Sequence, residues 1–148
     1  MGRRRLAAAA DHIPLPYETV AGVVAAVLAQ QMRPLRLPAW THPVGVVLAG
    51  GGLAVVLAAW RERGPGSLED PEVLVTGGVH GLSRNPIYLG FTAAHLGLAG
   101  ATRNGWMLTT CPVSAALVHR WVLREEHWLH DMFGDEYDTY RARVPRYL

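Results

Sequence analysis

Four apolar runs alternate with polar connections along the chain. They are Tyr17–Met32, Pro43–Trp60, Ile87–Ala101 and Gly105–Leu123. Each run is at or just below the roughly 20 residues that a helix needs to cross a bilayer. The pattern therefore predicts an all-α integral membrane bundle of about four transmembrane helices, with a soluble helical bundle as the alternative.

The distribution of arginine favours the membrane bundle. All fourteen basic residues are arginine, which we interpret as the coding bias of a bacterial genome. If both termini are cytoplasmic, the two outer loops carry only Arg33, Arg36 and Arg103, and the other arginines lie on the cytoplasmic side. This asymmetry follows the positive-inside rule. It predicts a protein of the bacterial cytoplasmic membrane with both termini in the cytoplasm.

The length of the chain predicts a single domain, residues 1–148. Within it we expect a cytoplasmic flank over residues 1–16 and transmembrane helices with their loops over residues 17–123. Residues 124–148 are expected to form a cytoplasmic lid. This lid is predicted to be helical, since its apolar residues recur at helical spacing.

Charge and cysteine content exclude several kinds of partner. The net charge of +2 is too small to indicate a nucleic-acid partner. Cys111 is the single cysteine, so the chain has no internal disulfide. No spacing of His, Cys and Asp indicates a metal site. The expected partners are the membrane and a lipophilic substrate, and the oligomeric state is left open.

Ionisable residues flank the last two apolar runs. Pro86 suits the first turn of a helix, so we expect the third helix to begin there. The polar residues 103–105 form a turn, and the fourth helix returns antiparallel to the third. This arrangement brings Arg84 and Asn85 close to the Glu125-Glu126 pair at one membrane face. Ionisable groups at the mouth of a helix pair indicate a functional site, with interfacial anchoring as the alternative.

Two motifs frame this helix pair. The first follows the pattern Gly-Pro-Tyr-Arg-x-x-Arg-His/Asn-Pro-x-Tyr and is matched by Gly78, Arg84, Asn85, Pro86 and Tyr88. Three residues depart from it, namely Val79, His80 and Gly81. The second motif comprises Glu125-Glu126, Leu129, Phe133-Gly134, Glu136-Tyr137, Tyr140 and Val144-Pro145-Arg146. Together the motifs resemble the isoprenylcysteine carboxyl methyltransferase and phospholipid methyltransferase family of small integral membrane enzymes.

The resemblance implies S-adenosylmethionine as the cofactor and methyl transfer to a lipophilic acceptor as the reaction. A carboxylate can accept charge-assisted hydrogen bonds from both ribose hydroxyls of this cofactor, and either glutamate of the pair is a candidate. The catalytic candidates are Arg84, Asn85 and Tyr88. The cofactor-binding candidates are Gly50, Gly52, His80, Glu125, Glu126, Tyr137 and Tyr140.

Gly50 and Gly52 are included because Gly50-Gly51-Gly52 resembles a Gly-x-Gly in a membrane helix of phosphatidylethanolamine N-methyltransferases. Small residues let a helix approach either a ligand or another helix closely, so helix packing is the alternative. No strand precedes these glycines, and they therefore do not form the fingerprint of a Rossmann fold.

The sequence leaves the methyl acceptor open among a prenylcysteine carboxylate, a phospholipid amine and an isoprenoid or other small lipophile. An amine or a hydroxyl acceptor would be helped by a base, for which His80, His119 and His127 are candidates. Two other functions remain as alternatives: a membrane reductase that uses a nicotinamide cofactor, and a non-enzymatic membrane scaffold.

Overall fold

A computed structural model describes residues 17–63 and 73–148. The predicted N-terminal flank, residues 1–16, lies outside the described residues. The described part is α-helical, as predicted, and its sole β-type pairing is an isolated bridge between Arg36 and Asn104. In chain order the helices are α1 (Tyr17–Met32), α2 (Thr41–Arg63), a 3₁₀ turn (Gly78–Gly81), α3 (Pro86–Ala101), α4 (Met107–Phe133) and α5 (Asp135–Arg143).

Helix α3 lies at the centre of the bundle. It begins at Pro86, as predicted, because the fixed φ of proline and its missing N–H suit the first helical position. Helix α2 packs along one side of α3, and α4 packs on another side. Helix α1 packs mainly on α4. Because α3 is enclosed in this way, even His95 in its interior is buried, and its Nε2 lies 3.2 Å from Thr110 Oγ1.

Glycines bring α2 and α3 unusually close together. A Cβ atom on Gly52 would lie 2.5 Å from the carbonyl oxygen of Gly90 and 2.6 Å from the amide of Ala94. Neither backbone atom can move without moving the helix, so the separation of the two helices depends on the missing side chains. We refer to the glycines of this interface as the glycine seam: Gly45 and Gly52 in α2 with Gly90, Gly97 and Gly100 in α3.

The predicted four spans are only partly supported. Among the described helices, α2 alone is both long and apolar enough to cross a membrane. Helices α1 and α3 have 16 residues each, and α4 becomes charged in its second half. The outer faces of α1, α2 and α4 nevertheless expose many large apolar side chains, among them Val24, Val47 and Val113. Exposed apolar side chains in such number are typical of a surface that contacts lipid or a protein partner.

Helix α4 is longer than its apolar run. The run ends at Leu123, but the helix continues to Phe133 because charged residues such as arginine and glutamate are good helix formers. Residues 124–133 of the predicted lid are therefore the last turns of α4. Gly134 then interrupts the helix with a φ of 49°, and α5 follows as a short second helix.

The turn between α3 and α4 closes the opposite end of the bundle. Asn104 is buried and donates from Nδ2 to the carbonyl of Ala26 at 3.0 Å. Arg103 donates from Nε to the carbonyl of Leu37 at 2.8 Å. These bonds tie the turn to α1 and to the connection between α1 and α2, so Arg103 is a structural anchor at the end of α3 remote from Arg84.

Candidate active site

Glu126 is the centre of a buried charged cluster. Its carboxylate accepts a hydrogen bond from Asn85 Nδ2 at 3.0 Å and lies 3.3 Å from Arg84 Nη1. The guanidinium of Arg146 binds it in a bidentate manner, with Nε 3.1 Å from both carboxylate oxygens and Nη2 3.0 Å from Oε2. We call Arg84, Asn85, Glu126 and Arg146 the charged cluster. It confirms that the start of α3 and the second half of α4 meet.

The charged cluster also holds the chain after α5 against the start of α3. The amide of Arg84 donates to the carbonyl of Pro145 at 2.9 Å, and Asn85 Nδ2 donates to the carbonyl of Arg146 at 3.2 Å. Arg84 Nη1 donates to the hydroxyl of Tyr137 in α5 at 3.1 Å. Asn85 precedes the first residue of α3, but its side chain makes these long-range bonds and does not cap its own helix.

Glu125 points in a different direction from its neighbour. Arg63, at the end of α2, donates from Nη2 to Glu125 Oε1 at 3.1 Å. The hydroxyl of Tyr88 in α3 donates to Glu125 Oε2 at 2.9 Å. The carboxylate thus joins α2, α3 and α4, and two of its partners are side chains that line cavities, as described below.

A second carboxylate, Glu62, holds the 3₁₀ turn. It accepts hydrogen bonds from the amide of Val79 at 2.8 Å and from the imidazole Nδ1 of His80 at 2.7 Å. The preceding Gly78 has a φ of 55°, and any Cβ there would collide with the Glu62 carboxylate. Glycine at position 78 is therefore required both by its backbone conformation and by the approach of Glu62.

The residues around His80 enclose a polar cavity of about 60 Å³. His80 is 3% exposed, and its Nε2 has no hydrogen-bond partner among the described residues. Arg84 Nε likewise has no hydrogen-bond partner among the described residues. The lining of this cavity combines polar, aromatic and apolar side chains. The lining residues are Arg63, Val73, Leu74, Val75, His80, Arg84, Glu125, Trp128, Leu129, Phe133 and Tyr140.

Burial changes the proton affinities of groups in this region. It lowers the pKa of His80, and the hydrogen bond to Glu62 only partly offsets this, so the imidazole is held neutral. Burial also raises the pKa of Tyr137 and raises that of Tyr140 to about 12. Tyr140 accordingly keeps its proton and donates it to the carbonyl of His80 at 2.6 Å. Arg146 has a raised pKa because its hydrogen bonds to Glu126 favour the cation.

Tyr88 also lines a second, larger cavity, which we call the apolar groove. It has a volume of about 420 Å³ and lies between the cytoplasmic halves of α3 and α4 as the topology prediction orients them. Its lining residues are Tyr88, Leu89, Thr92, Ala115, Val118, His119 and Tyr147. The hydroxyl of Tyr88 binds Glu125, which lines the polar cavity, so this hydrogen bond links the linings of the two cavities.

The structure brings together eight of the ten predicted site residues, but Gly50 and Gly52 lie elsewhere. Gly52 belongs to the glycine seam, and its close contact with Gly90 satisfies the helix-packing interpretation. Gly50 is exposed and has no atom within 4 Å of the position of a Cβ. A cofactor contact at either glycine remains a sequence-based prediction. His127, a candidate base, has a side chain that is 80% exposed and lies outside both cavities.

Sequence reasoning missed several members of the site. Glu62 and Arg63 follow directly after the apolar run Pro43–Trp60, where polar residues were read only as topology signals. Arg146 belonged to a recognised motif but had no assigned partner. One signal could have separated the two adjacent glutamates. The buried residues of α4 recur at spacings of three and four, and continuing that stripe places Glu126 on the inner face: Cys111, Ser114, Val118, Val122 and Glu126.

The fold and the site thus define a helical protein with an apolar outer surface and a carboxylate-lined cavity at one end of the bundle. Comparison with protein families gives a match to the phospholipid methyltransferase family over residues 40–136. This match spans more than half of the chain, and the chain belongs to that family of membrane methyltransferases. Searches of curated proteins and of solved structures gave no match. The family match includes the start of α3 and the glutamate pair, and it ends just before Tyr137.

Proposed function

We propose that this protein transfers a methyl group from S-adenosylmethionine to a lipophilic acceptor, with the cofactor held in the polar cavity. The observation that carries the proposal is that Glu125 lines the same cavity as His80 and Arg84, whose buried nitrogens His80 Nε2 and Arg84 Nε lack partners. Buried polar atoms are nearly always hydrogen-bonded, so atoms without partners on residues that line a cavity favour a ligand there.

The donor set of the cavity fits the chemistry of this cofactor. Glu125 is the candidate for the ribose hydroxyls, since a carboxylate has spare lone pairs even while it binds Arg63 and Tyr88. Arg84 is the candidate for the carboxylate of the amino-acid end. Tyr140, an aromatic residue of the cavity lining, is the candidate for contact with adenine. We assign Glu126 a different role, that of positioning Arg84 and Asn85 through the charged cluster.

The volume of the polar cavity adds a requirement to the proposal. About 60 Å³ is far less than the roughly 300–1,000 Å³ of typical ligand sites. One part of the cavity wall consists of residues 73–75 and of the chain around Phe133 and Tyr140. We infer that this wall moves outward when the cofactor enters, in the manner of a lid.

The cofactor, when bound, supplies a methyl group that its sulfonium has already activated for displacement. The protein then needs to position the reactants and exclude water, with no covalent intermediate. Asn85 and Arg84 are fixed by Glu126 at the mouth of α3 and can orient polar groups there. Tyr88 lines the apolar groove and binds Glu125 of the polar cavity, so it can orient groups between the two cavities.

The site proposal extends to the topology. We propose four membrane-crossing helices, α1 to α4, with both termini in the cytoplasm of a bacterial cell and residues 1–148 forming one domain. The exposed apolar faces of α1, α2 and α4 support this arrangement, as does the arginine asymmetry. Reporter fusions at residues 1 and 148 should both report a cytoplasmic location. A periplasmic location for residue 148 would contradict the four-span proposal.

The decisive experiment titrates S-adenosylmethionine, S-adenosylhomocysteine and NADPH against the protein in detergent by calorimetry. We expect the first two to bind and NADPH not to bind. Glu125→Gln should weaken S-adenosylmethionine binding at least tenfold, since a hydrogen bond to a charged group contributes about 1.5–3 kcal/mol. Glu136→Gln, on the exposed face of α5, is the matched control and should bind normally.

The other outcomes of this titration separate the alternatives. Binding of NADPH alone would favour a reductase, and binding of no cofactor would favour a scaffold. Normal affinity in Glu125→Gln and in Glu126→Gln would remove the glutamate pair from cofactor recognition.

A further inference from the structure

The apolar groove carries chemistry that the methyl-transfer proposal does not use. His119 in α4 and Tyr147 both line it and contact each other, with the imidazole Nδ1 2.6 Å from the phenol oxygen. This is the single hydrogen bond of His119 among the described residues. Leu89, Ala115 and Val118 make most of the remaining wall apolar. A groove of about 420 Å³ lies within the range of ligand-binding cavities.

The charges around the groove select against an anionic head group. Arginine, aspartate and glutamate are all absent from its described lining, so a carboxylate placed there would lack a fixed cation. Burial of an ion without a partner is strongly unfavourable. An amine or a hydroxyl that enters as a neutral nucleophile avoids that penalty, and its proton then needs an acceptor if the methylated product is to be neutral as well. His119 is the group in the groove able to accept one.

The position of Tyr147 depends on the charged cluster. The adjacent Arg146 is bound to Glu126 by two nitrogens, and its carbonyl accepts hydrogen bonds from Ser83 and Asn85. These contacts hold the chain beside α4, so that the next side chain reaches the groove. Tyr147 is partly buried, and burial raises the pKa of its phenol. The phenol therefore stays protonated, and its oxygen can accept a hydrogen bond from Nδ1–H of His119, the tautomer that leaves the lone pair on Nε2.

We propose that the apolar groove binds an acceptor with an amine or hydroxyl head on an apolar chain, and that His119 is the base that removes its proton. This inference rests on the proposed methyltransferase function. The acceptor nitrogen or oxygen forms a bond to the methyl carbon, and the bond from sulfur to that carbon breaks with its electron pair staying on sulfur. The proton of the acceptor passes to Nε2 of His119 and then to water. Tyr147 is a positioning residue that keeps Nδ1 engaged, so that Nε2 faces the acceptor.

The test uses the full-length protein in nanodiscs with three acceptors that share one apolar chain and differ in an amine, hydroxyl or carboxylate head. The wild-type protein should methylate the amine or the hydroxyl compound, or both, and discriminate against the carboxylate at least tenfold in kcat/KM. This arm needs no variant, so it stands even if a substitution impairs folding. A preference for the carboxylate would overturn the proposal.

The second arm uses His119→Gln, Tyr147→Phe and, as the control, His127→Gln on the exposed face of the same helix. Loss of a general base lowers kcat by roughly 10²–10⁴-fold, and we expect His119→Gln to do so with KM nearly unchanged. It should also remove the acidic limb of the pH profile of kcat/KM. Tyr147→Phe should keep that limb but displace it, with a smaller fall in kcat. His127→Gln should match the wild type.

Two binding measurements distinguish this inference from the function on which it rests. Acceptor binding, followed by thermal shift without S-adenosylmethionine, should be nearly unchanged in His119→Gln. S-adenosylmethionine affinity should also be unchanged in both groove variants. Normal cofactor binding with an unaltered kcat and pH profile in His119→Gln would overturn the role of His119 alone. A wild-type protein that binds no S-adenosylmethionine would overturn the methyltransferase proposal, and this inference with it.

Discussion

Two contrasting kinds of contact hold helix α3, one along its side against α2 and one at its N-terminal end. Against α2 it relies on the glycine seam, where the fit is made by the absence of side chains. At its N-terminal end it relies on the charged cluster, where Glu126 balances two arginines. We therefore expect added side-chain atoms to destabilise the seam, and the loss of a charge to destabilise the cluster.

On the proposed four-span topology, the difference follows from the surroundings of each region. In an apolar bilayer, helices gain little from hiding apolar groups, so close packing through small residues is the main source of attraction. At the end of the bundle, buried charges have to be compensated locally. The two regions should therefore fail under opposite substitutions.

The largest expected effect is the loss of the Glu126 charge. Glu126→Gln preserves the shape of the side chain but leaves Arg84 and Arg146 without their anion. Removing one partner of a buried ion pair costs about 3–5 kcal/mol, and because the side chain of Arg146 is 39% exposed we expect about 2–3 kcal/mol. The measurement is the free energy of unfolding in mixed detergent micelles. Glu136→Gln should change it by less than about 0.5 kcal/mol, as at other exposed sites.

The seam is tested by adding atoms. Gly52→Val would drive a side chain into the backbone of Gly90 and Ala94, and overpacking of this kind costs about 1–3 kcal/mol. Gly50→Val adds the same atoms where nothing lies within 4 Å, and it should be nearly neutral. The comparison uses thermal unfolding of the two variants. Equal losses of stability would show that the seam is not a special contact.

A smaller effect should separate the two arginines at opposite ends of α3. Arg84→Ala should lower activity about tenfold or more per folded protein, because it removes a charge-assisted contact at the site. Arg84→Lys should recover only part of it, since an ammonium cannot reproduce the planar guanidinium. Arg103→Ala loses the bond to the carbonyl of Leu37 and should reduce stability while leaving activity per folded protein intact. Equal activity losses at the two positions would point to general anchoring of the helix.

The smallest expected effect is a pH dependence of stability from His80. Its pKa is lowered in the folded protein, mainly by burial, while the unfolded chain titrates near 6.5. As the pH falls below that value, the unfolded state takes up a proton that the folded state resists, so stability is lost. We expect the melting temperature in detergent to fall more steeply between pH 7 and pH 5.5 in the wild type than in His80→Gln. Parallel curves would contradict a neutral, buried imidazole.

Topology alone predicted the meeting of Arg84 and Asn85 with the glutamate pair. An antiparallel pair of helices joined by a short turn necessarily places the start of one beside the end of the other. The helical class and the start of α3 could also be predicted from local sequence. Apolar runs of helical length indicated the helices, and the conformational restriction of proline indicated the start of α3 at Pro86.

Contacts that depend on the path of irregular connections could not be predicted from the sequence in this way. The bond between Glu62 and His80 depends on the path of the connection between α2 and α3, which has no periodicity to read. The pairing of Arg146 with Glu126 depends on how the chain turns after α5. The separate roles of Glu125 and Glu126 depend on the rotation of α4, since neighbouring residues on a helix point about 100° apart. Sequence patterns therefore predict where helices form better than they predict the rotation of a helix about its axis or the course of the chain between helices.

The backbone conformation of Gly134 determines which chirality a larger residue at this position would need. Its φ of 49° and ψ of −122° are the mirror image of a conformation that ordinary L residues adopt readily. No atom lies within 4 Å of the position of an added Cβ, so the surroundings leave room for a methyl group. An L-alanine would be strained there by its chirality alone. A D-alanine, introduced by joining a synthetic peptide to the rest of the chain, would fit the same backbone and would stiffen the joint between α4 and α5 without altering the contacts around it.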